Sequence, residues 1–266
     1  MAFYDPVEST FYGWCVERLL SCDDLGDRLD GGLLEIGTGT AVPVADALLR
    51  SRSSAHVTGY ELDPASVAAA RSEIQRLELP NYTVVQGDFF ECAVGAPQRC
   101  VIGNPPYLPA MAGPISAPLL WGGQDGADVT RGVLARGFDT VMLVIASISN
   151  PEGVIDFARE QGYTVLDWMS TPIRFGRYCR DIRVRSRISD LARSGHAFFG
   201  PDSYLIAGVT WVRQAAAADQ ADVLARVMRG AGNASRITAW PGRAGDWRRT
   251  RHARTGQPAA AAPKGR

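Results

Sequence analysis

Along its first half the chain repeats one unit: a strand-length apolar run, then a turn, then a helical stretch. This repeat constrains the fold more than any other feature. Leu33-Leu34-Glu35-Ile36 runs into Gly37-Thr38-Gly39-Thr40, and a helical pattern covers 41–50. His56 to Glu61 forms a second run, and Asp63-Pro64 then opens a helix over 64–78, because an acid before a proline is a strong helix start. Tyr82 to Gln86 ends at Gly87-Asp88, and Arg99 to Gly103 precedes a proline turn. A helix near 127–137, a strand near 140–146, a helix over 151–161 and a strand from Tyr163 to Met169 continue the series. Strands alternating with helices imply a parallel sheet covered on both faces. Ligands of such sheets bind beyond the carboxyl ends of the strands, where the strand order reverses.

The residues at those strand ends carry chemistry. Gly37 and Gly39 allow a tight turn and close backbone approach to a ligand. Ala41 and Val42 stand where a dinucleotide fingerprint would have its third glycine. Glu61 lies about 20 residues on, the spacing of a ribose-binding acid. Asp88 closes the third strand. After the fourth come Asn104-Pro105-Pro106-Tyr107. Each proline fixes its own φ, lacks an N–H and pushes its predecessor toward extended backbone. The product is a stiff turn presenting an amide and carbonyl oxygens, which can accept hydrogen bonds from a planar amino group, beside a ring that can stack on it.

Taken in this order, the motifs resemble those of amino-methyltransferases that use S-adenosylmethionine, which include the exocyclic-nitrogen DNA methyltransferases and the HemK/PrmC glutamine methyltransferases. Two further stretches are similar to short HemK-type members: Tyr4-Asp5-Pro6-Val7-Glu8-Ser9-Thr10-Phe11, and Gly122-Gly123-Gln124-Asp125-Gly126-Ala127-Asp128-Val129. The resemblance spans residues 4–168. It implies a class I methyltransferase, Rossmann-like α/β fold with a mostly parallel seven-stranded sheet, a last strand (Tyr204 to Arg213) closing it antiparallel, S-adenosylmethionine as cofactor and no metal. It also implies roles. Glu35, Gly37, Thr38 and Gly39 would surround the methionine end of the cofactor, Glu61 and Leu62 the ribose, and Asp88 and Phe89 the adenine. Tyr4 and Thr10 would fold over the cofactor from the front, while Asn104, Pro105 and Tyr107 would hold the acceptor.

The chain departs from that family in three places. About thirty residues precede the first strand, too few for the recognition domain of the bacterial release-factor enzymes. The fifth strand runs on as Val144-Ile145-Ala146-Ser147 rather than Glu-Ile-Gly. A long connection, Ser170 to Ser203, precedes the last strand, with Ile182, Ile188 and Leu191 spaced for a short helix. Loops of that length in compact domains tend to be functional. Tyr12, Trp14, Phe175 and Tyr178 are therefore expected to enclose a small planar acceptor, methylated on nitrogen or an electron-rich ring carbon. The alternatives are a release-factor glutamine, with a protein acceptor or activator subunit, an adenine amino group, or binding of the cofactor without catalysis.

Charge and composition narrow the partners. Acidic and basic residues balance at 28 each, so no overall field favours nucleic acid. The five cysteines are scattered without a CxxC pair, which argues against zinc and against a disulfide framework. Neither a signal peptide nor a membrane-spanning run is evident, and the expected location is cytoplasmic. Three segments are expected: an N-terminal helical part, 1–30; a methyltransferase domain, 31–214, with its insertion at 170–203; and, over 215–266, an Ala-rich helix followed by a loose Arg/Ala/Pro tail.

Overall fold

The computed structural model describes residues 5–22, 25–111, 115–213 and 218–231. Expectations placed on Tyr4, on 215–217 and on the tail from 232 lie outside them. The helices are α1 (Pro6–Leu20), α2 (Gly26–Leu29), α3 (Val42–Ser51), α4 (Pro64–Arg76), α5 (Phe89–Cys92), α6 (Asp128–Leu134), α7 (Pro151–Glu160), α8 (Ile182–Arg193) and α9 (Ala221–Arg229). The strands are β1 (Leu33–Ile36), β2 (Val57–Glu61), β3 (Tyr82–Gln86), β4 (Cys100–Gly103), β5 (Thr140–Ala146), β6 (Tyr163–Arg174) and β7 (Ser203–Arg213). They form one seven-stranded sheet ordered β3-β2-β1-β4-β5-β7-β6. The first five are parallel, and β7 enters antiparallel between β5 and β6.

Both faces are covered. Phe11, Val16, Val44, Leu48, Val67 and Ile188 bring α1, α3, α4 and α8 onto one side. Leu134, Val154, Ile155, Leu224 and Met228 bring α6, α7 and α9 onto the other. Buried on both faces, β5 is apolar at nearly every position instead of alternating. No helix among the described residues is long and apolar enough to cross a membrane.

The structure redraws the region after α7. The strand expected to stop at Met169 continues to Arg174, paired with β7 throughout and bulged between Val165 and Asp167. Ser170-Thr171-Pro172 looks like a turn in sequence, but β6 is an edge strand, where proline needs no ladder partner for its missing N–H. The connection is correspondingly shorter and contains α8, capped by the Asp181 carboxylate on the Arg183 N–H. The last helix begins at Ala221, later than the Ala-rich run suggests. The Asp219 carboxylate accepts hydrogen bonds from the Val165 and Ala221 N–H groups, tying the chain to β6 just before the helix starts.

Candidate functional site

A cleft of about 760 Å³ opens beyond the carboxyl ends of β1, β2 and β4, where the strand order reverses. Gly37, Thr38 and Gly39 line it after β1, Glu61 and Leu62 after β2, Asp88 and Phe89 after β3, and Asn104, Pro105 and Tyr107 after β4. Tyr12 from α1 and Tyr178 from the segment before α8 complete the wall. The turn after β1 is left-handed at Gly37 (φ 72°) and Gly39 (φ 56°), with nothing within 4 Å of where a Cβ would stand at either. That turn leaves bare backbone facing open space, the arrangement a ligand held by main-chain groups requires. Ala41, in the third-glycine position, is left-handed as well (φ 65°). Glu61 braces the turn from β2: one carboxylate oxygen accepts from the Gly39 N–H at 2.7 Å, the other from the Asp63 N–H at 2.9 Å. Asp88 caps α5 through the Phe90 N–H at 2.6 Å.

The Asn104 side of the cleft is organised by a residue that the sequence motifs leave unassigned. Asp5 caps α1 by accepting from the Val7 and Glu8 N–H groups, and Pro6 follows at the first helical position. This fixes the first turn and turns Glu8 inward, where it is only 2 % exposed. One Glu8 oxygen accepts from Asn104 Nδ2 at 2.8 Å, and the other accepts from the Tyr107 hydroxyl at 2.9 Å. The Tyr107 and Tyr204 hydroxyls are 2.9 Å apart. Asn104 Oδ1 is buried and has no hydrogen-bond partner among the described residues. A buried acceptor left unpaired costs about 1–3 kcal/mol, so a hydrogen-bond donor brought to Oδ1 would be favoured there.

Behind the proline turn lies the Gly122 to Gly126 loop. Gly122 N–H donates to Leu108 O, Ala110 N–H donates to Gly123 O, and Ser149 Oγ donates to Tyr107 O at 2.6 Å. Asp125 fastens that loop, accepting from both terminal nitrogens of Arg131 and from Asn150 Nδ2. Burial opposes its charge, but Arg131 and Asn150 outweigh this and hold its carboxyl below the usual carboxylate range.

Glu35 stands elsewhere than the resemblance implies. It is 1 % exposed beneath the cleft, accepting from the Tyr12 hydroxyl at 3.0 Å and from the Tyr82 hydroxyl. Burial pushes its carboxyl up to about 7, against the opposing pull of the two tyrosines. A group with a raised folded value contributes stability that is complete below its unfolded value, near 4.5, and is lost as pH rises through about 7. The gap corresponds to roughly 3 kcal/mol at about 1.4 kcal/mol per tenfold. Glu35→Gln cannot ionise and escapes this loss. Thermal melts at pH 5 and pH 8 should therefore show wild type losing ground to the variant at the higher pH. A melting-temperature gap that does not change with pH would refute the assignment.

Other expected site residues are off the cleft. Trp14 is 42 % exposed, and it shares the outer face of α1 with Val7 and Thr10, opposite Glu8, Phe11, Tyr12 and Cys15. The helix turns by 3.6 residues, so positions 7, 10 and 14 cannot join 8, 11, 12 and 15 on the inner face. Phe175 packs on Phe199 and Tyr204 instead of lining the cleft. The end of β6 brings Arg174 to the cleft, and the segment before α8 brings Arg177 and Tyr178. Glu8 and Tyr204 are the residues sequence reasoning missed. The available signal for Glu8 was an acid falling on the apolar stripe of a predicted helix.

No family model matches the chain. It is 37% identical over 94 residues to the release factor glutamine methyltransferase of Vibrio cholerae serotype O1, covering 35% of this chain and 32% of that protein. With the release factor glutamine methyltransferase of Moorella thermoacetica it shares 28% identity over 163 residues, 57% of this chain and 52% of that one. The chain thus spans from a third to about half the length of these curated relatives. A crystal structure from Pyrococcus horikoshii, of a protein named as a candidate RNA methyltransferase, superposes with a TM-score of 0.51 at 17% identity, over 81% of this chain and 87% of that one. The fold is the class I methyltransferase fold. In sequence the chain resembles the HemK/PrmC glutamine methyltransferases.

Proposed function

We propose that this protein is an S-adenosylmethionine-dependent N-methyltransferase whose acceptor is a carboxamide, the glutamine side chain of a protein of the release-factor class. The observation that carries the reading is the Asn104 amide, held by Glu8 with its oxygen unpaired, in the same cleft as the bare Gly37–Gly39 turn. The names of the relatives support the acceptor class. A small aromatic acceptor loses its main support because Trp14 and Phe175 do not line the cleft.

The residues present fit the cofactor: a left-handed glycine turn facing open space, a carboxylate on the second strand, and Asp88 with Phe89 after the third. When bound, S-adenosylmethionine supplies a methyl group on a positively charged sulfur. The Gly37–Gly39 turn and Glu61 would hold its amino-acid and ribose parts, and Asp88 and Phe89 its adenine. Asn104 Oδ1 accepts a hydrogen bond from the acceptor N–H, which fixes the amide plane and leaves the nitrogen lone pair directed out of it. Tyr107, anchored at its hydroxyl, presents its ring to the same plane. The acceptor proton departs after the nitrogen has become cationic, so no strong base is required. Positioning of this kind accounts for up to roughly 7–11 kcal/mol of a barrier in favourable cases.

Calorimetry should show binding of S-adenosylmethionine and S-adenosylhomocysteine and none of NAD. A folded protein that binds neither sulfur compound would refute the reading. Glu61→Ala should weaken S-adenosylmethionine roughly 10–100-fold, the loss of one or two hydrogen bonds to a charged group at about 1.5–3 kcal/mol in total. A radiolabel-transfer assay with release factor, oligonucleotides and a panel of heteroaromatics then tests the acceptor. Label on the release-factor glutamine is expected, and label on a heteroaromatic alone would replace the acceptor assignment.

A further inference from the structure

We propose that Glu8 is a positioning residue for the acceptor site: its carboxylate sets which way the Asn104 amide faces and anchors the Tyr107 ring. The role rests on the proposed reading of Asn104 as the group that receives the acceptor. An ionised carboxylate only accepts hydrogen bonds. Facing Glu8 Oε1 at 2.8 Å, the Asn104 amide must present its NH₂ there, and this leaves Oδ1 as the free end. Facing Glu8 Oε2, the Tyr107 hydroxyl is committed as a donor, so its oxygen is free to accept from Tyr204. One carboxylate thereby aligns an amide on one side and a chain of two phenols on the other.

The geometry is expensive unless it serves a purpose. At the third position of a helix an acid ordinarily stays in solvent, near the positive end of the helix. Here it is buried, with no cation among its hydrogen-bond partners. The groups facing it are Asp5 on its own helix, Asn104 and Tyr107 on the proline turn, Tyr204 on β7 and Cys179 before α8. Burial raises the Glu8 carboxyl above its ordinary value, Asn104 and Tyr107 pull it down, and Asp5 adds to the rise. Protonation converts one accepting oxygen into a donor. Either the Asn104 amide loses its partner or the phenol chain reverses, so only the ionised form holds the amide and the phenol chain in this arrangement together.

The test uses Glu8→Gln, which preserves shape but not charge, with Glu8→Ala as a second variant. The first readout needs no acceptor. The ¹⁵N side-chain amide resonance of Asn104, assigned by its disappearance in Asn104→Ala, is followed from pH 4 to pH 9. In wild type it should titrate with an apparent value above that of an ordinary glutamate, and in Glu8→Gln it should not move. The second readout is kinetic, with release factor as acceptor. Glu8→Gln should lower kcat about 10–100-fold, the range seen for supporting residues behind metal ligands, and remove the acid limb of the pH profile, while leaving S-adenosylmethionine affinity within about twofold. An Asn104 resonance that titrates equally in both proteins, or that is flat in wild type, overturns the proposal. So does full activity in a folded Glu8→Ala. Release factor left unmethylated by wild type, with the Asn104 titration intact, would instead count against the glutamine reading alone.

Discussion

Asn104→Ala should lower turnover by about 10²–10³, the effect of removing one preorganised hydrogen-bonding group from a reacting centre, while S-adenosylmethionine affinity stays nearly unchanged. Alanine removes the Oδ1 acceptor and also the Nδ2 donor that holds one Glu8 oxygen. Glu8 keeps its bond from Tyr107, so the ring remains anchored and the cofactor side of the cleft is undisturbed. The proposed cofactor contacts follow β1, β2 and β3, whereas Asn104 follows β4. The split between affinity and turnover is therefore the diagnostic. Single-turnover rates together with calorimetric affinity measure it directly. A variant that loses S-adenosylmethionine binding and keeps its single-turnover rate would place Asn104 on the cofactor side instead.

Much of this architecture was legible in the sequence, and all but one of the failures share a physical cause. The parallel core could be read because each strand and helix announces itself locally: an apolar run, a glycine or acid at its end, then a helix start such as Asp63-Pro64. The Gly37–Gly39 turn, Glu61, Asp88 and Asn104 were readable for the same reason, since all sit at strand ends. Much of what escaped depends on distant partners. Glu8 meets Asn104 across a separation of 96 residues, and its place on the apolar stripe of α1 hints that it turns inward without naming the partner it meets there. Residues 170–174 become strand only because β7 lies alongside them. Trp14 and Phe175 were read as walls of the cleft because aromatics suit both a lid and a core, and only their neighbours decide. For Trp14 the helical period already held the answer, since it places that residue with Thr10 and Val7 on the outer face.

Gly122→Ala should cost about 3 kcal/mol of stability, at the upper end for overpacking, and should damage the acceptor site in the fraction that folds. A Cβ at this position would stand 2.6 Å from the Gly126 and Pro106 carbonyl oxygens and 2.7 Å from the Tyr107 Cα. All three are backbone atoms, so no side chain can swing aside. Relief requires the Gly122–Gly126 loop and the proline turn to move apart. Movement is resisted on both sides: Asp125 clamps the loop to Arg131 and Asn150, and Ser149 holds the Tyr107 carbonyl. The Gly122–Val129 stretch was recognisable in sequence as a family likeness but had no assigned task. Its position gives it one, as the floor against which Pro106 and Tyr107 are pressed. At about 2–4 °C per kcal/mol for a domain of this size, the melting temperature should fall by roughly 6–12 °C. Because the clash falls on the acceptor side, S-adenosylmethionine should still bind the folded variant while turnover drops. Measuring both below the transition separates loss of fold from loss of site. An alanine variant that melts with wild type and turns over normally would show that the loop does not support the turn.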